Sequence, residues 1–358
     1  LYIFYVRMPK LRVAVLGATG MVGQRFIQGL QGHPFFEVGV LAASERSAGR
    51  KYVEAAKWYI EGDIPKEIAS MRVEPIDKKI IKEHGIDLAF SAIPADIARE
   101  VEGGFAESVP VFSNTKTYRM DEDVPLMIPE VNPGHLDLVK IQKKKRGWSG
   151  FIVTNPNCTT VGVALPLKPV YDSLGISWVN MTSMQALSGA GYEGVPSMAI
   201  VDNLIPYING EEEKCETEPL KILGGIEKDR VRNADFRVIA SCNRVSVLDG
   251  HTIAVTVGTK KDFDVDEARM LLSGFEGEPQ RLKLPTAPNP VIVVRDEDDR
   301  PQPRRDRNAG KGMAVTVGRL SRKEQSVLRF VSLSHNTIRG AAGASILNAE
   351  LAFKKKLF

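Results

Sequence analysis

Cys158 stands in the run Asn155-Pro156-Asn157-Cys158-Thr159-Thr160, with a strand-like stretch ahead of it and a helical one behind. A thiol at the first turn of a helix meets the positive end of the backbone dipole, which favours the reactive thiolate. Pro156 fixes the turn, and Asn157 can donate to an oxyanion or orient an acyl group. An inert buried cysteine could occupy the same stretch. A thiol nucleophile also needs a base within reach, and the chain has five histidines. His33 and His84 fall in loops, and His135 reads as a helix start. His251 follows Asp249-Gly250 in a turn between two strand-like segments, where a side chain can face a cleft. His335 borders the last helix and is the rival base.

A second constellation is the loop Gly17-Ala18-Thr19-Gly20-Met21-Val22-Gly23, between a strand-like run and a helical one. Glycines spaced this way let backbone N–H groups approach a dinucleotide diphosphate at a helix N-terminus. The next strand ends in Ser44-Glu45-Arg46-Ser47. An arginine flanked by two hydroxyls suits the 2′-phosphate of NADP, whereas Glu45 turned to the ribose would suit NAD. NADP is the expectation.

These residues need a scaffold. The 358-residue chain is long enough for two domains, and 43% apolar with 26% charged residues is ordinary globular composition. Apolar runs at 11–16, 37–43, 86–91 and 109–113 alternate with helical stretches, as in a Rossmann-type doubly wound parallel sheet. Beyond Gly150 the texture changes to longer alternating stretches at 178–184, 241–248, 252–259, 290–295, 313–320 and 328–334. They suggest an α+β second domain on a mixed sheet. A final helix is expected over 336–353. The fold class is thus α/β, a dinucleotide-binding domain from residues 1–157 and 336–358 and a second domain from 158–335.

Bulk properties narrow the partners. A net charge of +4 with only short basic runs gives no nucleic-acid footprint, and no apolar run approaches the roughly 20 residues that span a bilayer. Cys158, Cys215 and Cys242 form neither a metal-ligand spacing nor an even disulfide set, so no metal and a cytoplasmic location are expected. The opening LYIFYVR lacks a signal-peptide core and reads as a short extension before Met8.

In chain order, GATGMVG, SNTKTYRM, TNPNCTT, MQALSGAGYEGVPSM, EEEKCETEPLKIL, NRVSVLDGH and NTIRGAAGASILNAE resemble the aspartate-semialdehyde dehydrogenase family, in its archaeal and fungal-like branch, over nearly the whole chain. The resemblance implies Cys158 as nucleophile, His251 as general acid/base and Gln185 as orienter of the acyl group. It implies Arg244 on the substrate carboxylate, Glu218 and Lys221 on its amine and phosphate, and Arg119 sharing that phosphate. Gly17, Thr19, Gly20, Met21, Val22, Gly23, Ser44, Arg46, Ser47, Ser91 and Asn336 would line the NADP site, Asn336 at the nicotinamide carboxamide. The implied substrates are a small molecule and phosphate, and the implied assembly a homodimer or homotetramer. From the residues alone, Glu218 and Lys221 could equally be a helix-surface pair and Arg244 a structural ion pair. Malonyl-CoA reductase and N-acetyl-glutamyl-phosphate reductase chemistry are the alternatives.

Overall fold

The computed structural model describes residues 9–358, so the segment before Met8 and Met8 itself lie outside the described residues. Six parallel strands form the first sheet: β1 (Leu11–Leu16), β2 (Phe36–Ala43), β3 (Val73–Pro75), β4 (Leu88–Ser91), β5 (Val111–Ser113) and β6 (Ile152–Thr154), in the order β3-β2-β1-β4-β5-β6. β4, β5 and β6 are buried along their whole length, because helices cover both faces. The order reverses between β1 and β4, which opens a crevice at their carboxyl ends. The helix Met21–Leu30 starts there.

The second sheet comprises β7 (Ile176–Gln185), β10 (Arg237–Arg244), β11 (His251–Thr259), β12 (Ile292–Val294), β13 (Val315–Glu324) and β14 (Val327–Ser334), ordered β10-β7-β11-β14-β13-β12. It is mixed: β10/β7 and β12/β13 are parallel, and the other pairs antiparallel. A small hairpin, β8 (Gly225–Glu227) with β9 (Arg230–Arg232), stands apart. One face of this sheet packs on the helix Cys158–Leu174, and Val161, Leu165, Val179, Met181, Ile253 and Phe330 share its core. That helix leaves the first sheet from β6 and lies against the second. Its first residue, Cys158, therefore sits at the seam between the two cores.

Two expectations differ from the structure. The strand placed at 241–248 is β10, over Arg237–Arg244. Its exposed–buried alternation begins at Arg237 and runs in register with Trp178 to Gln185, and past Arg244 the chain turns away. β7 lies between β10 and β11, so Arg244 and His251 are not on adjoining strands. The last helix is Gly343–Lys354, preceded by a π-type turn at Ile338–Ala342 with Ala341 out of helical conformation. The cause is close packing: a Cβ on Gly340 would stand 2.6 Å from Cys158 Cβ. Among the described residues no helix is long and apolar enough to cross a membrane.

Candidate active site

Local folding aims Cys158. Asn157 caps its helix, its Oδ1 accepting from the amides of Thr159 (2.9 Å) and Thr160 (3.3 Å). The Asn157 side-chain amide donates to Glu211 Oε2 at 2.8 Å, and its backbone N–H donates to Glu218 Oε2 at 2.6 Å. Both ends of this amide are occupied in holding the turn. The sulfur lies within the protein although the residue keeps some exposure. Burial pushes its thiol up to about 12, the Glu211 charge adds to this, and Arg119, Lys214 and Arg244 pull the other way. Burial thus works against the thiolate that a helix N-terminus favours.

The ends of three neighbouring strands converge on it. β7 ends in Gln185 and β10 in Arg244, and these are register partners. β11 begins at His251, whose Nε2 is 3.2 Å from Cys158 Sγ. His251 Nδ1 accepts from the Ala186 amide at 3.0 Å, and burial holds the ring neutral, with its pKa down to about 3. Gln185 donates to Ser183 Oγ (3.2 Å) and Glu211 Oε2 (3.4 Å). Arg244 Nη1 donates to the Ala186 carbonyl at 2.7 Å. Gly189 keeps this corner open, since a Cβ there would come within 2.7 Å of Arg244 Nη1.

The helix Glu211–Ile222 supplies the acids and lysines. Glu218 and Lys221 are 2% and 3% exposed, which excludes a helix-surface pair. Glu218 accepts from Arg119 Nη1 at 2.9 Å as well as from the Asn157 amide, so it anchors the turn. The Lys221 ammonium donates to the carbonyls of Arg119, Asp121 and Val124 at 2.7–2.9 Å. All three of its protons are used, leaving none for a phosphate. One helical stretch earlier, Glu211 and Lys214 form an ion pair whose charges reach the sulfur. Sequence reasoning passed over this pair. The available signal was the i, i+3, i+7, i+10 spacing, which puts Glu211, Lys214, Glu218 and Lys221 on one helix face. Arg119 is 7% exposed with its Nε unpartnered, and Nη2 donates to the Asn114 carbonyl.

The glycine loop has the form a dinucleotide requires. Gly17 has φ +81°, and a Cβ there would strike the Ala92 carbonyl oxygen at 2.6 Å; one on Gly23 would strike the Gly17 oxygen at 2.3 Å. Gly20 is different: a Cβ would meet nothing nearer than 3.5 Å. Its lack of a side chain leaves clear the approach to the first-turn amides, including those of Met21 and Val22, beside Thr19. The Ala42 carbonyl accepts from Gly17 N and Ala18 N, which ties the end of β2 to this loop. Ser44–Ser47 then forms a turn with Arg46 exposed. These residues fit NADP. Two others need correction. Ser91 is fully buried beside Glu102, so its side chain faces the protein. Asn336 accepts from Gly250 N (2.8 Å) and donates to Ser188 Oγ (2.7 Å), fixing the segments that flank His251.

Residues 12–139 match the family model described as semialdehyde dehydrogenase, NAD binding domain, and residues 167–339 the one described as semialdehyde dehydrogenase, dimerisation domain. An aspartate-semialdehyde dehydrogenase of Methanothermobacter thermautotrophicus is 55% identical, over 95% of this chain and 98% of that one. A malonyl CoA reductase (NADP) of Metallosphaera sedula is 43% identical, over 96% and 97%. The crystal structure of the Candida albicans aspartate semialdehyde dehydrogenase with NADP superposes with a TM-score of 0.89 at 41% identity, covering 98% of this chain and all of that one. With a glycine loop at the switch point, a cysteine at the seam and this likeness along its length, the chain belongs to the aspartate-semialdehyde dehydrogenase family.

Proposed function

We propose that the protein catalyses the NADPH-dependent reductive dephosphorylation of aspartyl 4-phosphate to aspartate 4-semialdehyde through a thioester on Cys158, on the route to lysine, threonine and methionine. The observation that carries this is the Cys158 sulfur at a helix N-terminus, 3.2 Å from His251 and within reach of the charges of Glu211, Lys214, Arg119 and Arg244. Three cations and an acid beyond the nucleophile and its histidine suit a substrate with carboxylate, amine and phosphate.

Arg244 grips the α-carboxylate, its fork suited to two parallel hydrogen bonds. Glu211 takes the α-amine, Lys214 and Arg119 the phosphate, and Gln185 steadies the acyl group. Asn157 holds the turn that aims the thiol, and Glu218 and Lys221 hold Arg119 and its loop in place. NADPH supplies the hydride when bound. The glycine loop, Ser44, Arg46 and Ser47 hold its diphosphate and 2′-phosphate, and Asn336 and Ser91 act from behind that site. The sheet-rich part, residues 158–335, carries the chemistry and the contacts of a homodimer or homotetramer, and residues 1–157 with 336–358 carry the cofactor. Three unlinked cysteines suit a reducing cytoplasm.

The test is NADPH formation from aspartate semialdehyde, phosphate and NADP by the purified protein, and its loss in Cys158→Ala. Turnover in that variant would end the reading. Faster oxidation of malonate semialdehyde with coenzyme A than of aspartate semialdehyde with phosphate would move the protein to the malonyl-CoA reductase activity.

A further inference from the structure

Two cysteines take no part in the chemistry above. Cys215, on the helix Glu211–Ile222, and Cys242, on β10, are both buried. The helix and the strand bring them together from 27 residues apart, with their sulfurs facing each other at 4.0 Å. Ser183 is the register partner of Cys242 on β7. Its oxygen accepts from Gln185 Nε2 at 3.2 Å, which leaves its own proton free to turn to the Cys242 sulfur. The hydrogen bonds from Cys215 and Ser183 hold the Cys242 thiol below its usual range, against burial. Cys215 is pushed well above that range by its hydrogen bond to Cys242 and by burial. One sulfur is thus disposed to be the thiolate and the other to keep its proton. The pair also lies at the rim of its core. β10 is the edge strand of its sheet, and the amides of Ala240 and Cys242 donate to the carboxylates of Glu216 and Glu212, each at 3.1 Å. Those two side chains are half-exposed, so a small oxidant needs only a local opening of the helix to arrive.

We propose that Cys215 and Cys242 are a redox modification site, which a hydroperoxide such as hydrogen peroxide converts to an internal disulfide. The Cys242 thiolate attacks one peroxide oxygen and the O–O bond breaks. The hydroxide that leaves takes up the proton Cys242 had shed, and Cys242 is a sulfenic acid. The Cys215 sulfur then attacks the sulfenic sulfur. The S–S bond forms, the S–O bond breaks, and the departing oxygen takes the Cys215 proton to become a second water. Over both steps two S–H bonds and one O–O bond give way to one S–S bond and two new O–H bonds. The cysteines are oxidised and the peroxide is reduced. The sulfurs must close from 4.0 Å to about 2 Å. That draws in the helix turn next to Lys214, and it changes the sulfur that Ser183 and, behind it, Gln185 meet. The modification therefore reaches two groups beside the nucleophile.

Cys158→Ala leaves Cys215 and Cys242 as the chain's only thiols. The full-length variant, reduced and then treated with hydrogen peroxide, should lose both thiols together. Its intact mass should fall by two hydrogens, and a peptide map should show residues 215 and 242 joined within one chain. Dithiothreitol should restore both thiols. Adding Cys215→Ser removes the resolving sulfur, so Cys242 should then be trapped by dimedone as its sulfenic acid. Both thiols surviving a peroxide treatment that consumes Cys158 in the parent protein would overturn the proposal. So would cross-links found only between chains, or oxidation to sulfinic acid with no disulfide formed. None of these readouts needs turnover, so they separate failure of this inference from failure of the proposed reaction.

Discussion

At the scale of single residues, the site depends on which of two similar pairs faces the sulfur. Lys214 keeps about a quarter of its side chain exposed beside Glu211, whereas Lys221 is buried with every proton engaged. Burial also pulls the Lys221 ammonium down to about 8, which only its carbonyl cage and nearby acids resist. Lys214→Ala should therefore raise the KM for phosphate by roughly 10- to 100-fold, since a charge-assisted hydrogen bond to the ligand is worth about 1.5–3 kcal/mol. Its melting temperature should stay within about 2 °C of the parent. Lys221→Met leaves three buried carbonyls without a donor and should lower the melting temperature by roughly 5–15 °C. Steady-state kinetics and calorimetry read the contrast. A stable Lys221→Met protein with only weakened phosphate binding would restore the phosphate to Lys221.

At the scale of elements, the second sheet has one face on the Cys158 helix and one without a cover. Trp178, Asn180 and Thr182 of β7 point outward beside Arg237, Ile239 and Ser241 of β10. Opposite them on β11 lie Gly258, Thr256 and Ala254, and Trp178 lies against Gly258, where a Cβ would come within 2.2 Å of its indole nitrogen. Trp178 and Ile239 remain 38% and 40% exposed. A broad face of this kind, with Trp178 and Ile239 exposed on it, within residues that match a dimerisation domain is suited to a second copy. Asn180→Lys combined with Ile239→Lys places like charges on two register partners at its centre, and light scattering after gel filtration should show monomer. An unchanged oligomer would put the interface elsewhere.

At the scale of the whole molecule, three buried histidines couple folding to pH. Burial is the first cause in each case, taking His135 and His335 to about 4 and His251 to about 3, from 6.5. Below pH 6.5 the unfolded chain takes up these protons while the folded protein stays neutral, so stability falls as pH falls through that window. Each contributes on the order of 2 kcal/mol of loss by pH 5. Asp121, Asp123, Asp306 and Glu211 are held below their usual carboxylate range by Arg99, Arg146, Arg300 and Lys214, and act in the same direction at lower pH. Melting temperature should drop steeply between pH 7 and 5, and a flat profile would show that these rings are protonated when folded. The seam between the cores is reinforced by the fully buried Arg339–Glu130 pair, which ties the turn over Cys158 to the loop after β5.

Much of this architecture was legible in the chain because its signals are local. The apolar run 11–16, the glycines at 17, 20 and 23, and Cys158 between a strand and a helix are each set by residues a few positions apart. The edges of β10 and of the last helix were not, because pairing with β7 and the approach of Gly340 to Cys158 set them from far along the chain. Within the site, Cys158, His251, Gln185 and Arg244 were named from sequence and are brought together at the strand ends. Glu211 and Lys214 were missed because four charged residues on one helix face look equivalent until the depth of that helix is known. The orientation of the His251 ring is decided still further from the sequence. It is fixed by the backbone N–H of Ala186, a group that every residue but proline carries and that only the meeting of β7 and β11 aims at the ring.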